Sequence, residues 1–280
     1  MLYTFEVFPP KPTSPVERVT GCFSALASLQ PDFISVTYGA GGGLNGGAIT
    51  CALAERLKNE FGVRPVAHLP CIGYTREEII RTADALASRG IRDVLALRGD
   101  RTDDRPQEGD FRYAADLIAF LREHWGFHIL AACYPETHPE AASPAADIRH
   151  LREKVDAGAE HLISQLFFDN TLFYRFLERC DIAGISVPIE AGIMPVVNAK
   201  QIRRMVGLCG ASLPRKFAAV LARFEDDPKS LRDAGIAYAI DQIVDLAAHG
   251  VDGVHLYTMN DPEVARRITD ATRSLVQVSA

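Results

Sequence analysis

The sequence predicts an α/β protein, a single (βα)8 TIM barrel occupying residues 1–280 as one catalytic domain, with an extra helix between strands 7 and 8. Three observations predict it. Short apolar runs rich in β-formers alternate with longer stretches of helical spacing, the pattern of a mostly parallel sheet. The runs number eight, and 280 residues is close to the roughly 250 that one closed barrel takes as a unit. A doubly wound open sheet is the alternative architecture.

The strand candidates are residues 3–8, 33–38, 65–71, 94–97, 129–134, 162–168, 189–195 and 253–258. Amphipathic stretches at 76–88, 114–123, 148–157, 172–180 and 199–208 read as crossover helices. The interval before the eighth strand is longest and holds further helical patterns at 214–224 and 228–249, the first read as the insertion. Three of these stretches end alike, in Ser88-Arg-Gly-Ile-Arg-Asp, Ala157-Gly-Ala-Glu-His and His249-Gly-Val-Asp-Gly. Glycine there accepts the left-handed conformation that closes a helix before a strand. No composition shift or Pro/Ser-rich linker marks a boundary.

A net charge of −6 and a pI near 5.8 argue against a phosphate-neutralising surface and for a small-molecule partner rather than nucleic acid. No apolar run reaches the ~18 residues that span a bilayer. The first residues enter a strand-like segment with no basic and apolar leader, so no membrane partner and a cytoplasmic location are expected. Six cysteines, at 22, 51, 71, 133, 180 and 209, stand singly without zinc-ligand spacing. They are expected to be unpaired thiols, with Cys71 and Cys133 buried and inert.

Barrel enzymes carry their reactive groups at the carboxyl ends of the strands. That filter leaves Glu6, Thr37 with Tyr38, His68, Arg98-Gly99-Asp100, Tyr134 with Glu136 and His138, Gln165, and Tyr257 with Asn260. Glu6 lies in Phe5-Glu-Val-Phe-Pro-Pro10, an apolar strand stopped by two prolines. Burial there favours a protonated carboxyl suited to general acid work, or the residue is a core glutamate paired with a cation. Arg98-Gly99-Asp100 offers backbone donors and charge to a polar ligand, or forms a solvated surface turn. His68 is a ligand contact or a satisfied core histidine. The loop Tyr134-Pro-Glu-Thr-His-Pro-Glu140 lacks a second imidazole and reads as hydrogen bonding rather than metal binding. The glycine-rich stretch 39–47 has no Gly-Lys-Ser/Thr following it, which rejects an NTPase loop and leaves a lid or a flexible connection.

Taken in order, Phe5-Glu-Val-Phe-Pro-Pro-Lys11, Ser35-Val-Thr-Tyr-Gly-Ala40, His68-Leu-Pro-Cys71, Ala96-Leu-Arg-Gly-Asp100, Tyr134-Pro-Glu-Thr-His-Pro-Glu-Ala141, Lys154-Val-Asp-Ala-Gly-Ala159, Gln165-Leu-Phe-Phe-Asp169, Gly192-Ile-Met-Pro195 and Tyr257-Thr-Met-Asn260 resemble the bacterial-type methylenetetrahydrofolate reductases. The resemblance implies FAD-dependent reduction of 5,10-methylenetetrahydrofolate to 5-methyltetrahydrofolate, with electrons from NAD(P)H in a ping-pong order. It implies Glu6 as general acid, with Asp100 beside it in catalysis. The implied flavin contacts are Thr37, His68, Arg98, Gly99, Asp100, Tyr113, Ala114, Tyr134, His138, Asp147 and Lys154, and the implied folate contacts Glu6, Gln165 and Tyr257. Folate and reduced nicotinamide are the implied partners, in a homo-oligomer and with no metal. Where relatives of this kind carry a polar loop with Arg and Asp after Thr-Tyr-Gly-Ala, this chain has glycines at 41–43 and 46–47. Where they carry Arg after Tyr-Thr-x-Asn, it has Asp261. Other classes consistent with the barrel are a flavin-independent folate-binding protein and a non-catalytic subunit of a larger one-carbon complex.

Overall fold

A computed structural model describes residues 1–10, 17–38, 46–100 and 109–276. Eight parallel strands close a barrel in the order β1 to β8: β1 (Leu2–Val7), β2 (Ile34–Val36), β3 (Pro65–Pro70), β4 (Asp93–Leu97), β5 (His128–Cys133), β6 (His161–Ser164), β7 (Ile189–Ile193) and β8 (Gly253–Tyr257). The helices are α1 (Glu17–Ala27), α2 (Gly46–Phe61), α3 (Arg76–Ser88), α4 (Ala114–His124), α5 (Pro144–Asp156), α6 (Asn170–Ile182), α7 (Ala199–Cys209), α8 (Arg215–Phe224), α9 (Pro228–Ala248) and α10 (Pro262–Val276). The expected alternation holds, and the open sheet is excluded.

The differences have local causes. Most expected strands ran too far at the carboxyl end, and β6 most of all: it stops at Ser164 rather than at 168. Leu166 and Phe168 are apolar because they enter a separate core with Met194, Val196, Ile202, Phe217 and Leu231, not because they belong to the ladder. Helix α5 begins at Pro144, four residues before the expected start, since proline is pre-organised for a first helical turn. Between β7 and β8 lie α7, α8 and α9, two helices more than one βα unit needs, where one insertion was expected. Helices α1, α2 and α10 were not singled out. Gly46 and Gly47, expected in the glycine-rich loop, open α2, and residues 39–45 lie outside the described residues. The glycines that follow α3 and α9 are left-handed as expected, Gly90 at φ 67° and Gly250 at φ 70°.

The chain divides into two compact units. One comprises Thr4–Ala132 and Glu153–Leu162 and the other Met1–Tyr3, Cys133–Arg152 and Ile163–Ala280. In the first, β1 to β4 run in register with Glu6 opposite Ser35 and Ser35 opposite Val66. His68 is two residues beyond Val66, so the period-two alternation of a strand puts it on the same face as Glu6. At the amino end of this sheet Asp93 is held by Arg64 and by His128, whose Nδ1 is 3.0 Å away. In the second unit, α9 lies directly on the backbone after β7: a Cβ on Gly235 would stand 1.8 Å from the Val196 carbonyl oxygen. All six cysteines are free thiols. Burial pushes the Cys71 thiol up to about 12, which makes it inert near neutral pH.

Candidate active site

In the first unit the carboxyl ends of β1 to β4 carry most of the expected residues. Glu6, 7% exposed, and His68, also 7% exposed, face each other, with Nε2 of His68 3.4 Å from Oε2 of Glu6. The sequence left two readings of each residue. The structure brings the two together, and an imidazole is one buried neighbour of Glu6. Thr37 extends the β1–β2 ladder by donating its N–H to the Val7 carbonyl, and its own carbonyl accepts the Thr50 hydroxyl of α2.

The Arg98-Gly99-Asp100 turn is built into the end of the sheet. The Arg98 carbonyl accepts the N–H groups of Cys71 and Ile72. Gly99 sits at φ 85°, and a Cβ there would come within 2.9 Å of the Pro70 Cβ, so only glycine fits. Asp100 follows, exposed. At the head of α4, Asp116 accepts the N–H groups of Arg112 and Tyr113, which leaves the Tyr113 ring half-exposed beneath the Arg112 guanidinium, while Ala114 is buried. Lys154 reaches back from α5 to donate to the Ala132 carbonyl of β5 at 2.9 Å.

In the second unit the loop after β5 is fixed at several points. The Tyr134 and His138 rings meet edge to face, 4.6 Å between centroids. Asp147, in the first turn of α5, accepts the His138 N–H at 3.0 Å, and Nδ1 of His138 accepts from Glu140 N–H. With Nδ1 accepting, the neutral ring carries its proton on Nε2 and offers it outward. Thr137 between them is left-handed at φ 82°, an unusual conformation for a β-branched residue. Glu136 accepts the Ser212 N–H with both carboxylate oxygens, and Arg179 donates to the Pro135 carbonyl. The loop is therefore a hydrogen-bonded structure, and among the described residues no cluster of His, Cys, Asp or Glu has the makings of a metal site.

Gln165 stands just past β6. Its Oε1 accepts the N–H of Leu166 at 2.9 Å, which turns the amide nitrogen, with two donors, away from the backbone. Tyr257, at the end of β8, donates its hydroxyl to the Ser164 carbonyl at 2.8 Å.

The model of the methylenetetrahydrofolate reductase family matches residues 1–273. The chain belongs to this family. It is 38% identical over 267 residues to the 5,10-methylenetetrahydrofolate reductase of Pectobacterium carotovorum subsp. carotovorum, covering 95% of this chain and 88% of that one. It is 36% identical over 273 residues to methylenetetrahydrofolate reductase (NADH) 1 of Arabidopsis thaliana, across 92% of this chain and 46% of the plant protein. Among solved structures, an uncharacterized protein from Clostridium thermocellum that binds two copies of 5-methyl-5,6,7,8-tetrahydrofolic acid superposes with a TM-score of 0.69 over 98% of this chain and 94% of that one. Identity there is 12%, so the likeness is one of fold.

Asp261 follows the last strand, at the head of α10. Its carboxylate takes two hydrogen bonds from the Arg232 guanidinium, at 2.6 and 3.0 Å, and accepts the Val264 N–H at the head of α10. Burial opposes its ionisation, but Arg232 and the helix N–H groups outweigh this and hold the carboxyl below the usual range. Asp261 thus has a structural partner in α9, which the sequence pattern did not reveal because the two lie 29 residues apart. No helix among the described residues is long and apolar enough to cross a membrane.

Proposed function

We propose that this chain, acting as one catalytic barrel over residues 1–280, reduces 5,10-methylenetetrahydrofolate to 5-methyltetrahydrofolate, with reduced nicotinamide as electron donor and FAD as cofactor. The observation that carries the reading is the buried Glu6–His68 pair at the end of the first strands of a chain of this family.

The donor set of the first unit fits FAD. Arg98 and Lys154 supply cations for an anionic diphosphate, Thr37 a hydroxyl, Tyr113 an exposed ring face, and Gly99 a turn with no side chain in the way. His68, Asp100 and Ala114 are proposed for the same cofactor on the resemblance, as are Tyr134, His138 and Asp147 of the second unit. FAD, when bound, supplies a carrier of hydride between the nicotinamide and the one-carbon unit. Donor and folate then react in turn, a ping-pong order.

The carbon that bridges two folate nitrogens accepts hydride readily only after one C–N bond opens. Glu6 protonates the departing nitrogen, which opens the bridge to an electrophilic iminium. His68, whose Nε2 stands 3.4 Å from the Glu6 carboxyl, steadies the anion left after proton transfer. The Gln165 amide nitrogen donates to an acceptor on the pterin, Asp100 accepts from its N–H groups, and Tyr257 belongs to the folate side.

The test is spectroscopic. Protein reconstituted with FAD should show a bound flavin spectrum that bleaches when methyltetrahydrofolate is oxidised. A colourless protein that FAD does not reconstitute contradicts the reading, and tight folate binding with no flavin signal replaces it with a flavin-independent folate-binding barrel.

A further inference from the structure

We propose that Tyr238 and Gln242 of α9, together with Tyr257 of β8, are positioning residues for Gln165, which they set by tying down the carbonyls of the segment it stands in. The inference rests on the reading above in one respect, that Gln165 holds the pterin.

Strand β6 ends at Ser164, and the residues after it leave the ladder. Backbone carbonyls that lose a strand partner need other donors when they are buried, and here side chains supply them. Tyr257 donates to Ser164 O at 2.8 Å, Gln242 Nε2 to Phe167 O at 3.2 Å and Tyr238 to Phe168 O at 2.6 Å. The Ser164 hydroxyl donates to Gln165 O at 3.0 Å while accepting the Gly192 N–H at 2.8 Å. In a continued strand the carbonyls of Ser164, Gln165, Phe167 and Phe168 would bond to the flanking strands; here each finds a different side chain.

The clamps are themselves fixed. The Tyr238 ring stacks on Phe217 at 4.0 Å between centroids, and Phe217 packs on Phe168 at 5.2 Å. Gln242 also donates to the Asn170 side chain, whose own amide donates to the Gln242 carbonyl. Gly192 leaves the space through which Tyr257 reaches Ser164: a Cβ there would stand 2.2 Å from Ser164 O and 2.9 Å from the Tyr257 hydroxyl. Because the Gln165 amide is anchored on the Leu166 N–H, its direction follows the backbone at 165–166. The clamps hold that backbone from both sides, so the donor is set before ligand arrives, and binding loses less entropy in ordering it. The long helix α9 thereby gains a functional task beyond closing the barrel wall.

Tyr238→Phe keeps the stacked ring and removes the hydroxyl bonded to Phe168 O, and Tyr257→Phe removes the hydroxyl bonded to Ser164 O. Amide hydrogen exchange across residues 165–169 should accelerate in each variant. Folate kcat/KM of the FAD-loaded protein should fall about fivefold, the size of one neutral hydrogen bond. In a Gln165→Ala background the same substitutions should change it less than about twofold, because clamps and amide act as one unit. Losses that multiply in the double variants, or exchange that stays unchanged across 165–169, overturn the proposal. Wild-type protein that turns over no methylenetetrahydrofolate refutes the functional reading instead, and the exchange result still decides whether the clamps hold the segment.

Discussion

Nε2 of His68 stands 3.4 Å from Oε2 of Glu6, with both side chains buried on one face of the sheet. A carboxyl so enclosed depends on its neighbour, since a buried charge left unpaired is costly. Replacing His68 by leucine should therefore lower folate turnover by about 10- to 100-fold, the scale of a buried polar group losing its neighbour. Steady-state kinetics with methylenetetrahydrofolate checks this, and an unchanged kcat would show that Glu6 works without the imidazole.

Asp93 gives a pH signature at the opposite end of the strands. Burial opposes its ionisation, but Arg64 and His128 outweigh that and hold its carboxyl below the ordinary range. A depressed carboxyl pKa contributes stability that is present above the unfolded value, about 3.9, and is lost as pH falls through the folded one. Asp93→Asn should cost about 2 kcal/mol at pH 7, a fall of roughly 4–8 °C in Tm. The gap to wild type should close in melts below about pH 4. Activity at pH 7 and 25 °C should persist, because the amino-end face of a barrel serves stability rather than chemistry.

Asp261 and Arg232 form a two-pronged ion pair, and Asp261 also caps α10. Asp261→Arg should lose the cap, at about 1 kcal/mol, and set two cations against each other. Adding Arg232→Glu should restore the ion pair and recover part of the Tm. Thermal melts of the single and double variants measure this, and a double variant no more stable than Asp261→Arg would mean the pair contributes little.

Gly99→Ala places a methyl group 2.9 Å from Pro70 in a left-handed turn. Backbone strain of this kind costs about 1–3 kcal/mol. Since the turn also presents Arg98 and Asp100, FAD affinity should weaken along with Tm, which fluorescence titration of the flavin reports. A variant with wild-type affinity would remove this turn from the cofactor site.

Much of this was readable in the sequence because the signals were local. Eight apolar runs, glycines after helices and Pro-bounded Glu6 each announce themselves within a few residues. The end of β6 was not readable, since Leu166 and Phe168 are as apolar in a side core as they would be in a strand. Helix α10 left a trace that a closer reading finds, an aspartate followed by proline at the first helical position. The partnerships of Glu6 with His68, Asp261 with Arg232, and Tyr238 with Phe168 left none. They join residues 62, 29 and 70 positions apart, and only the closing of the sheet and the course of α9 brings them together.

The role of Glu6 is the centre of the account, and separated half-reactions test it most directly. In anaerobic rapid mixing, Glu6→Gln protein loaded with FAD should be reduced by the nicotinamide at close to the wild-type rate. Its reoxidation by methylenetetrahydrofolate should be slower by about 10²- to 10⁴-fold, the contribution of a general acid. Equal loss in both half-reactions, or reoxidation at the wild-type rate, would contradict the assignment.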